Sequence, residues 1–487
     1  HILRYSAASN SIYKVHIMQA LLDLGYDTAI YGPLYQQLYR AVTAQIRSGQ
    51  LAAGEKMPGK RTLAGQLGVS VNTVDGAYQM LAAEGWLEAR PRSGYYVRPY
   101  QRPLAPAAPA PDLRPARAAA PTRTWAFDLS TGGVDTGLFP FRTWARIQKE
   151  LLYSRPGLLA HGEGRGDEEL RAAIARHLRA WRGVDCTPDQ IVVGAGVEYL
   201  MSLLARVVGS SITALENPGY ARTRRILHNN GIRCVPVAVD EQGLDPDALA
   251  AAGARLVYVT PSHQFPTGAV MPVGRRTKLL NWAAAAPGRY IIEDDYDSEF
   301  RFDVRPLPSL QGMAGREGPV IYLSTFSRSL APSIRIAYMV LPLPLLSRFE
   351  AAFGGYSSTV SRFEQQTLAI YMDEGHFSRQ LARARGRYRA RMQALTAALE
   401  KALGPERVRF HGRHTGLHFL LQLTDGPGEK EMVERAAAAG VRLAGLSDYY
   451  LARPELCPPR TVVVGYGALA DDQVEAAAAA LRAAWSG

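Results

Sequence analysis

The sequence predicts an α/β protein in two parts. A small N-terminal unit is helix-rich and ends in a hairpin. A large unit is built on a mainly parallel central sheet, with a small C-terminal α+β subdomain. Three observations predict this. A chain of 487 residues exceeds one ordinary domain. A proline-rich stretch, RPYQRPLAPAAPAPDLRPARAAAPTRT, interrupts it at residues 98–124. Its prolines fix φ and remove backbone donors, so neither helix nor sheet runs through it. Beyond it, short β-branched apolar runs alternate with helical stretches, the pattern of parallel strands under covering helices. The boundaries expected are an N-terminal extension without an assigned role at residues 1–31, the small unit at 32–98, the linker at 99–124 and the large unit at 125–487.

In the small unit, Pro33 precedes an amphipathic helix over residues 34–47, with Leu34, Leu38, Val42 and Ile46 at four-residue spacing. A second helix covers 61–67. Gly68-Val69-Ser70 makes a turn in which Ser70 caps a third helix over 71–84, and Gly85 ends it. Strands at 86–89 and 94–97 are joined by the basic turn Arg90-Pro91-Arg92-Ser93. This order is the layout of a winged helix-turn-helix, whose third helix can enter the DNA major groove. Ser70, Asn72 and Thr73 stand at the start of that helix, where they can donate to phosphates or bases. Lys60 and Arg61 open the preceding helix, and Arg90 and Arg92 tip the wing, all suited to phosphate contacts. The plainer alternative is a helical module used for protein contacts.

In the large unit, strands are expected at 190–193, 211–215, 256–259, 290–293, 320–324 and 336–340. Ligands of parallel sheets bind beyond the carboxyl ends of the strands. Polar motifs stand there: Gly194-Ala195-Gly196, ENPGY at 216–220, TPSHQFPTG at 260–268, EDDYDSEF at 293–300 and STFSRSLAPSIRIAY at 324–338. The small residues at 194–196 let backbone N–H groups approach an anion. Polar loops are commonplace, but five at one topological end mark a pocket. After residue 347 the pattern turns to long helices and a small α+β tail, ending in an Ala-rich helix over 471–485.

Composition narrows the setting. Hydrophobic residues make up 47% and charged residues 21%, which excludes global disorder. Cys186, Cys234 and Cys457 are scattered, so neither a disulfide framework nor a metal site is read, and a reducing cytoplasm is expected. No apolar run approaches the ~20 residues of a membrane span, and no signal-peptide pattern is read. The net charge of +12 is unevenly spread. Residues 32–124 hold 12 Lys and Arg against 5 Asp and Glu, a net +7, which concentrates the excess where DNA phosphates would lie.

The segment from PLYQQLYRAVTAQI through PGKRTLAGQLGVSVNTV to LAAEGWLEARPRSGYYV resembles the GntR-type winged-helix domain. Two positions depart from it. Gly59 stands where the family usually has Ser, and Asp75 where it often has Arg, so Asp75 is expected to repel a phosphate. The five pocket motifs, with FDLSTGGVDTGLFPFRTW and GDEELRAAI before them, resemble the fold-type I, class I/II aminotransferases that use pyridoxal 5′-phosphate (PLP). The combination resembles the MocR/GabR family of bacterial regulators. That resemblance implies a DNA-binding homodimer, commonly head-to-tail, whose aminotransferase-like domain senses a pyridoxal-type ligand or an amino compound.

The resemblance also implies roles. Asp294 would pair with the pyridine nitrogen, Tyr296 would donate to the ring 3′ oxygen and Tyr220 would stack on the ring, with His263 of TPSHQFPTG in the same cofactor site. Arg335, Ser327 and the Gly194, Ala195 and Gly196 loop would hold the phosphate. Arg222 would take a ligand carboxylate. Arg413 and Arg442 are candidates for a second carboxylate contact. Where the family carries its Schiff-base lysine, this chain has Arg328. Guanidinium, with a pKa of about 12.5–13.8, stays protonated and cannot readily condense with an aldehyde. Three readings stay open: PLP held non-covalently with Arg328 as a contact; pyridoxamine phosphate, a preformed adduct or another anion as the ligand; or an arginine introduced to disable covalent attachment. The rival functions are an aminotransferase with an accessory DNA-binding head and a DNA-binding dimer with a vestigial pocket.

Overall fold

The computed structural model describes residues 32–101, 124–209, 211–302 and 307–486. The expected N-terminal extension and nearly all of the linker lie outside the described residues. The chain divides into two units, residues 1–121 and 122–487.

The first unit contains α1 (Leu34–Ser48), α2 (Lys60–Leu67), α3 (Val71–Ala83) and a hairpin of β1 (Leu87–Arg90) and β2 (Gly94–Val97). Val74, Ala77, Tyr78 and Leu81 of α3 recur at helical spacing and join Leu38, Val42, Ile46 and Leu63 in one core. The hairpin pairs Leu87 with Val97 and Arg90 with Gly94. Several boundaries differ from the sequence reading by one residue: α1 runs on to Ser48, α2 starts at Lys60, α3 ends at Ala83 and the first wing strand covers Leu87–Arg90, not 86–89. The helix end explains the shift of the strand. Gly85 sits at φ 81°, its N–H bonds to Ala82 O, and the Trp86 N–H bonds to Leu81 O. Trp86 thus belongs to the helix cap.

The second unit is organised on an eight-stranded sheet. Its strands, numbered after the short β3 (Phe127–Asp128), are β4 (Ile191–Gly194), β5 (Ile212–Asn217), β6 (Arg233–Asp240), β7 (Gly243–Leu244), β8 (Leu256–Val259), β9 (Tyr290–Asp294), β10 (Val320–Thr325) and β11 (Ala337–Val340). Their order is β4-β11-β10-β9-β8-β5-β6-β7. The run β10, β9, β8, β5 and β6 is parallel. β11 is antiparallel to both β10 and β4. So β4 runs with β10, and the residues just before β11 share an edge with those just after the parallel strands. All five sequence motifs therefore meet at one end of the sheet. The sequence reading missed β6 and β7. β6 carries Arg233 and Pro236 and is largely uncovered, so its apolar pattern is weak.

The C-terminal part adds β12 (Val408–His411), β13 (His418–Leu423), β14 (Val441–Arg442), β15 (Ala444–Gly445) and β16 (Thr461–Gly465). β12, β13, β16 and β15 form an antiparallel sheet, and β14 pairs with β3 in parallel. The final helix spans Val474–Trp485, with the expected first turn, Asp471–Gln473, wound as a 3-10 helix instead. Among the described residues, no helix is long and apolar enough to cross a membrane.

Candidate functional site

The first unit presents a helix for reading a groove. Ser70 Oγ accepts the Thr73 N–H at 3.1 Å and lies 2.9 Å from Thr73 Oγ1, so both hydroxyls are committed to the cap. With its buried residues facing the core, α3 leaves Asn72 and Gln79 exposed, and Arg61 and Arg92 are exposed as well. Two expected phosphate contacts are already engaged. Lys60 pairs with Asp75 of α3 and lies 5.3 Å from the Tyr95 ring centre. Arg90 donates to Glu88 at 3.0 and 3.1 Å and covers the Tyr96 ring at 4.3 Å. Asp75, expected only to repel phosphate, neutralises a neighbouring cation and accepts from Gln79 Nε2 at 3.2 Å.

In the second unit, β8 and β9 end side by side and bring Tyr258 to Asp294. The Tyr258 hydroxyl donates to Asp294 Oδ2. Asp294 Oδ1 is buried and has no hydrogen-bond partner among the described residues. Burial pushes this carboxyl up to about 7, against the pull of Tyr258 and Arg328. A buried carboxylate oxygen without a donor is what a protonated ring nitrogen would satisfy. Beside it, Tyr296 Oη donates to His263 O at 3.2 Å and lies 3.1 Å from His263 Nδ1. His263 Nδ1 is 2.9 Å from Asp297 Oδ2, and its ring centre is 4.6 Å from that of His418. Tyr220, partly exposed, meets Phe265 edge-on with ring centres 5.5 Å apart. Glu216 lies buried below, accepting from Thr260 Oγ1 at 2.6 Å and from Gln264 Nε2 at 3.3 Å. Burial pushes its carboxyl up to about 7.

At the expected anion-binding end the side chains and loop amides engage one another. Gly196 sits at φ 98°, and a Cβ there would lie 2.4 Å from Arg335 Nη2. The guanidinium thus rests against the glycine, donating to Ala195 O at 3.1 Å and to Glu198 Oε2 at 2.8 Å. The loop's own donors are engaged: Ala195 N–H with Thr359 Oγ1 at 3.0 Å and Gly196 N–H with Gly194 O at 2.8 Å. Ser327 N–H and Oγ both contact Thr325 Oγ1, at 3.2 and 2.9 Å. Arg222, expected to take a ligand carboxylate, donates to Glu198 Oε1 at 3.0 Å. Arg328 is half-buried and donates to Gly133 O at 3.5 Å. Its charge acts on Asp294, Tyr296, Tyr220 and His418, which puts it among the expected ring contacts.

Several residues escaped the sequence reading. Tyr258 lies two positions before the TPSHQFPTG motif and shares its strand face, a signal that alternation could have supplied. Glu198 lies two residues past the glycine-rich loop, where an acid beside an anion site is itself a signal. Asp297, with His263 and His418, forms a buried group whose possible ligand atoms lie within 4.8 Å of one another. No metal site was read there. His263 Nδ1 faces Asp297 and Tyr296, His418 Nε2 faces Pro266 O at 3.2 Å, and His263 Nε2 is buried without a hydrogen-bond partner among the described residues.

Comparison with known proteins agrees with both halves. The family described as bacterial regulatory proteins, gntR family, matches residues 34–97, and aminotransferase class I and II matches residues 126–445. The chain is 39% identical to the uncharacterized HTH-type transcriptional regulator YdeL of Bacillus subtilis (strain 168), covering 93% of this chain and 97% of YdeL. It is 32% identical to the probable rhizopine catabolism regulatory protein MocR of Rhizobium meliloti, covering 93% and 94%. Among solved structures it resembles LysN, the alpha-aminoadipate aminotransferase of Thermus thermophilus, complexed with N-(5'-phosphopyridoxyl)-L-leucine. That match has a TM-score of 0.65 and 26% identity, over 74% of this chain and 91% of LysN.

Proposed function

We propose that this chain, which belongs to the MocR-type HTH transcriptional regulators that join a GntR-family head to a class I and II aminotransferase domain, senses a pyridoxal-type ligand in that domain and changes its operator affinity in response. The observation that carries the ligand reading is the buried, unpartnered Oδ1 of Asp294 at the carboxyl end of the sheet. PLP would supply a reactive aldehyde on an electron-withdrawing ring. Asp294 would hold a proton against the ring nitrogen, and the Asp297–His263–Tyr296 chain would orient a phenol toward the 3′ oxygen. Tyr220 would cover the ring face. Gly194, Ala195, Gly196, Ser327 and Arg335 would hold the phosphate once Arg335 leaves Glu198.

Arg328 makes the binding non-covalent. A permanently charged guanidinium has no lone pair for an aldehyde and cannot relay the proton that transamination needs. It remains a cation beside the pocket, suited to an anionic ligand. This favours a regulator over an enzyme with turnover.

A homodimer is the assembly this reading requires, with two heads on repeated or symmetric half-sites. Phe141, Leu152, Tyr153, Leu159 and Tyr356 are exposed apolar residues of the second unit that support it. The cytoplasm suits its three free cysteines. The test is operator affinity of the full chain with and without PLP, at fixed salt. The expected result is a change of about tenfold, the scale of a typical coupling energy. Equal affinities would sink the sensing claim.

A further inference from the structure

Glu198 is the second residue of the helix Val197–Val208 that follows the glycine-rich loop. Its two carboxylate oxygens are divided between two arginines of different elements. Oε2 accepts from Arg335 at 2.8 Å, just before β11, and Oε1 accepts from Arg222 at 3.0 Å, on the helix Ala221–Asn229. These are the two cations expected to take the two anionic ends of a ligand. Arg335 is also drawn onto Gly196, and a Cβ on that glycine would lie 3.2 Å from Glu198 Oε2. Guanidinium, carboxylate and glycine loop thus pack together where a phosphate would sit. The loop amides Ala195 N–H and Gly196 N–H are likewise bonded within the protein.

Burial works to raise the Glu198 carboxyl, but the Arg335 hydrogen bond and the Arg222 contact hold it below the usual carboxylate range. It is therefore an anion at neutral pH. The pairs are weak enough to exchange. The Glu198, Arg335 and Arg222 side chains are 37%, 53% and 60% exposed, and water screens such pairs strongly.

We propose that Glu198 is a specificity-determining residue: it occupies the anion position shared by Arg335 and Arg222, and it selects for a ligand with one anionic end over a ligand with two, which must displace it from both arginines. The inference rests on the pyridoxal-ligand reading above. A ligand with only a phosphate takes Arg335 and leaves the Glu198 carboxylate neutralised on Arg222. A phosphopyridoxyl amino acid brings a phosphate and a carboxylate, breaks both contacts and leaves the Glu198 charge unpaired beside two anions. The site is then tuned toward the cofactor alone over the conjugate of cofactor and amino acid.

The test compares the full-length wild type with Glu198→Gln, which keeps the size and hydrogen-bonding capacity but removes the charge, and with Glu198→Ala. Titration calorimetry with PLP and with N-(5′-phosphopyridoxyl)-L-leucine supplies two dissociation constants for each protein. In both variants the adduct is expected to bind about tenfold more tightly than in wild type, while PLP changes less, so the preference against the adduct shrinks. The wild-type-to-variant difference is expected to fall as salt rises. A merely structural role would move both ligands together. If all three proteins bind PLP and adduct with unchanged affinities, Glu198 has no selecting role and the ligand reading stands. If no protein binds either probe, both fall.

Discussion

Asp294 combines two properties that seldom coexist at one residue: deep burial and an acceptor oxygen without a donor. Tyr258 contacts its other oxygen, while Asp295 and Asp297 add negative charge and Arg328 positive charge. Burial is the main reason its carboxyl titrates at about 7. In the unfolded chain it would titrate near ~3.9. Between those values the folded state holds a proton that the unfolded state has lost, so this residue's contribution to stability falls as pH rises, and the full penalty is present above about pH 7. For a group so buried, the penalty is of order 2–4 kcal/mol. Asp294→Asn should therefore melt at a higher temperature than wild type at pH 8, with the advantage shrinking as pH falls and vanishing near pH 4. The same variant should lose PLP affinity, because an amide cannot balance a charged ring nitrogen. Thermal melts across this range decide the matter; a difference independent of pH would show that burial is not what Asp294 opposes.

At the level of elements, the N-terminal head turns on the junction of α2 and α3. Lys60 opens α2 and Asp75 projects from α3, and their pairing removes one cation from the surface offered to DNA. The side-chain hydrogen bond to Asp75 raises the Lys60 ammonium above its ordinary range, so the lysine stays charged but spoken for. Asp75→Asn should release it. Each phosphate neutralised adds about 0.9 to the slope of log affinity against log salt, so the variant should bind operator more tightly at low salt, with a slope steeper by about one. An unchanged slope in filter-binding or anisotropy titrations would reduce the pair to a structural staple. The same junction shows what a sequence can reveal. Helices, cap and hairpin were legible because each rests on local signals: four-residue apolar spacing, Ser70 before a helix, Gly85 after it. Strands β8, β9 and β10 were legible because burial on both faces demands continuous apolar runs. Strand β6, next to the sheet edge and largely uncovered, lacks that demand and went unread. In the pocket, His263, Asp294 and Tyr296 were picked out of their motifs, whereas Asp297 inside a motif and Tyr258, Glu198 and His418 outside them were not. Alternation and the place beside the glycine loop hint at Tyr258 and Glu198, but the partners of these two and of His418 lie 36, 24 and 152 residues away in sequence, which no local spacing encodes.

For the whole molecule, the proposed sensing makes residue 328 the place where reversibility would be decided. The resemblance of the TFSRS motif to the aminotransferases implies a Schiff-base lysine at this position, and such a bond would slow the release of the cofactor. Under the proposed function, a guanidinium would leave only contacts that form and break: the Asp294 carboxyl at the ring, the arginines at the anionic ends and the tyrosines at the faces. Ligand then equilibrates with its free concentration, and any effect on DNA binding must follow that concentration in both directions. Arg328→Lys converts this into a test on the intact regulator. The wild type, loaded with PLP and then dialysed against ligand-free buffer, should return to its ligand-free operator affinity. It should also show no mass increase after borohydride reduction and denaturation. The lysine variant should retain the loaded state through dialysis and gain the mass of one reduced pyridoxyl phosphate per chain. Lysine can reach its neutral form in a half-buried place, where desolvation disfavours its positive charge. Wild-type protein that keeps its ligand through dialysis and acquires the reduced adduct would mean that another amine of this chain attaches the cofactor, and the reversible reading would be lost.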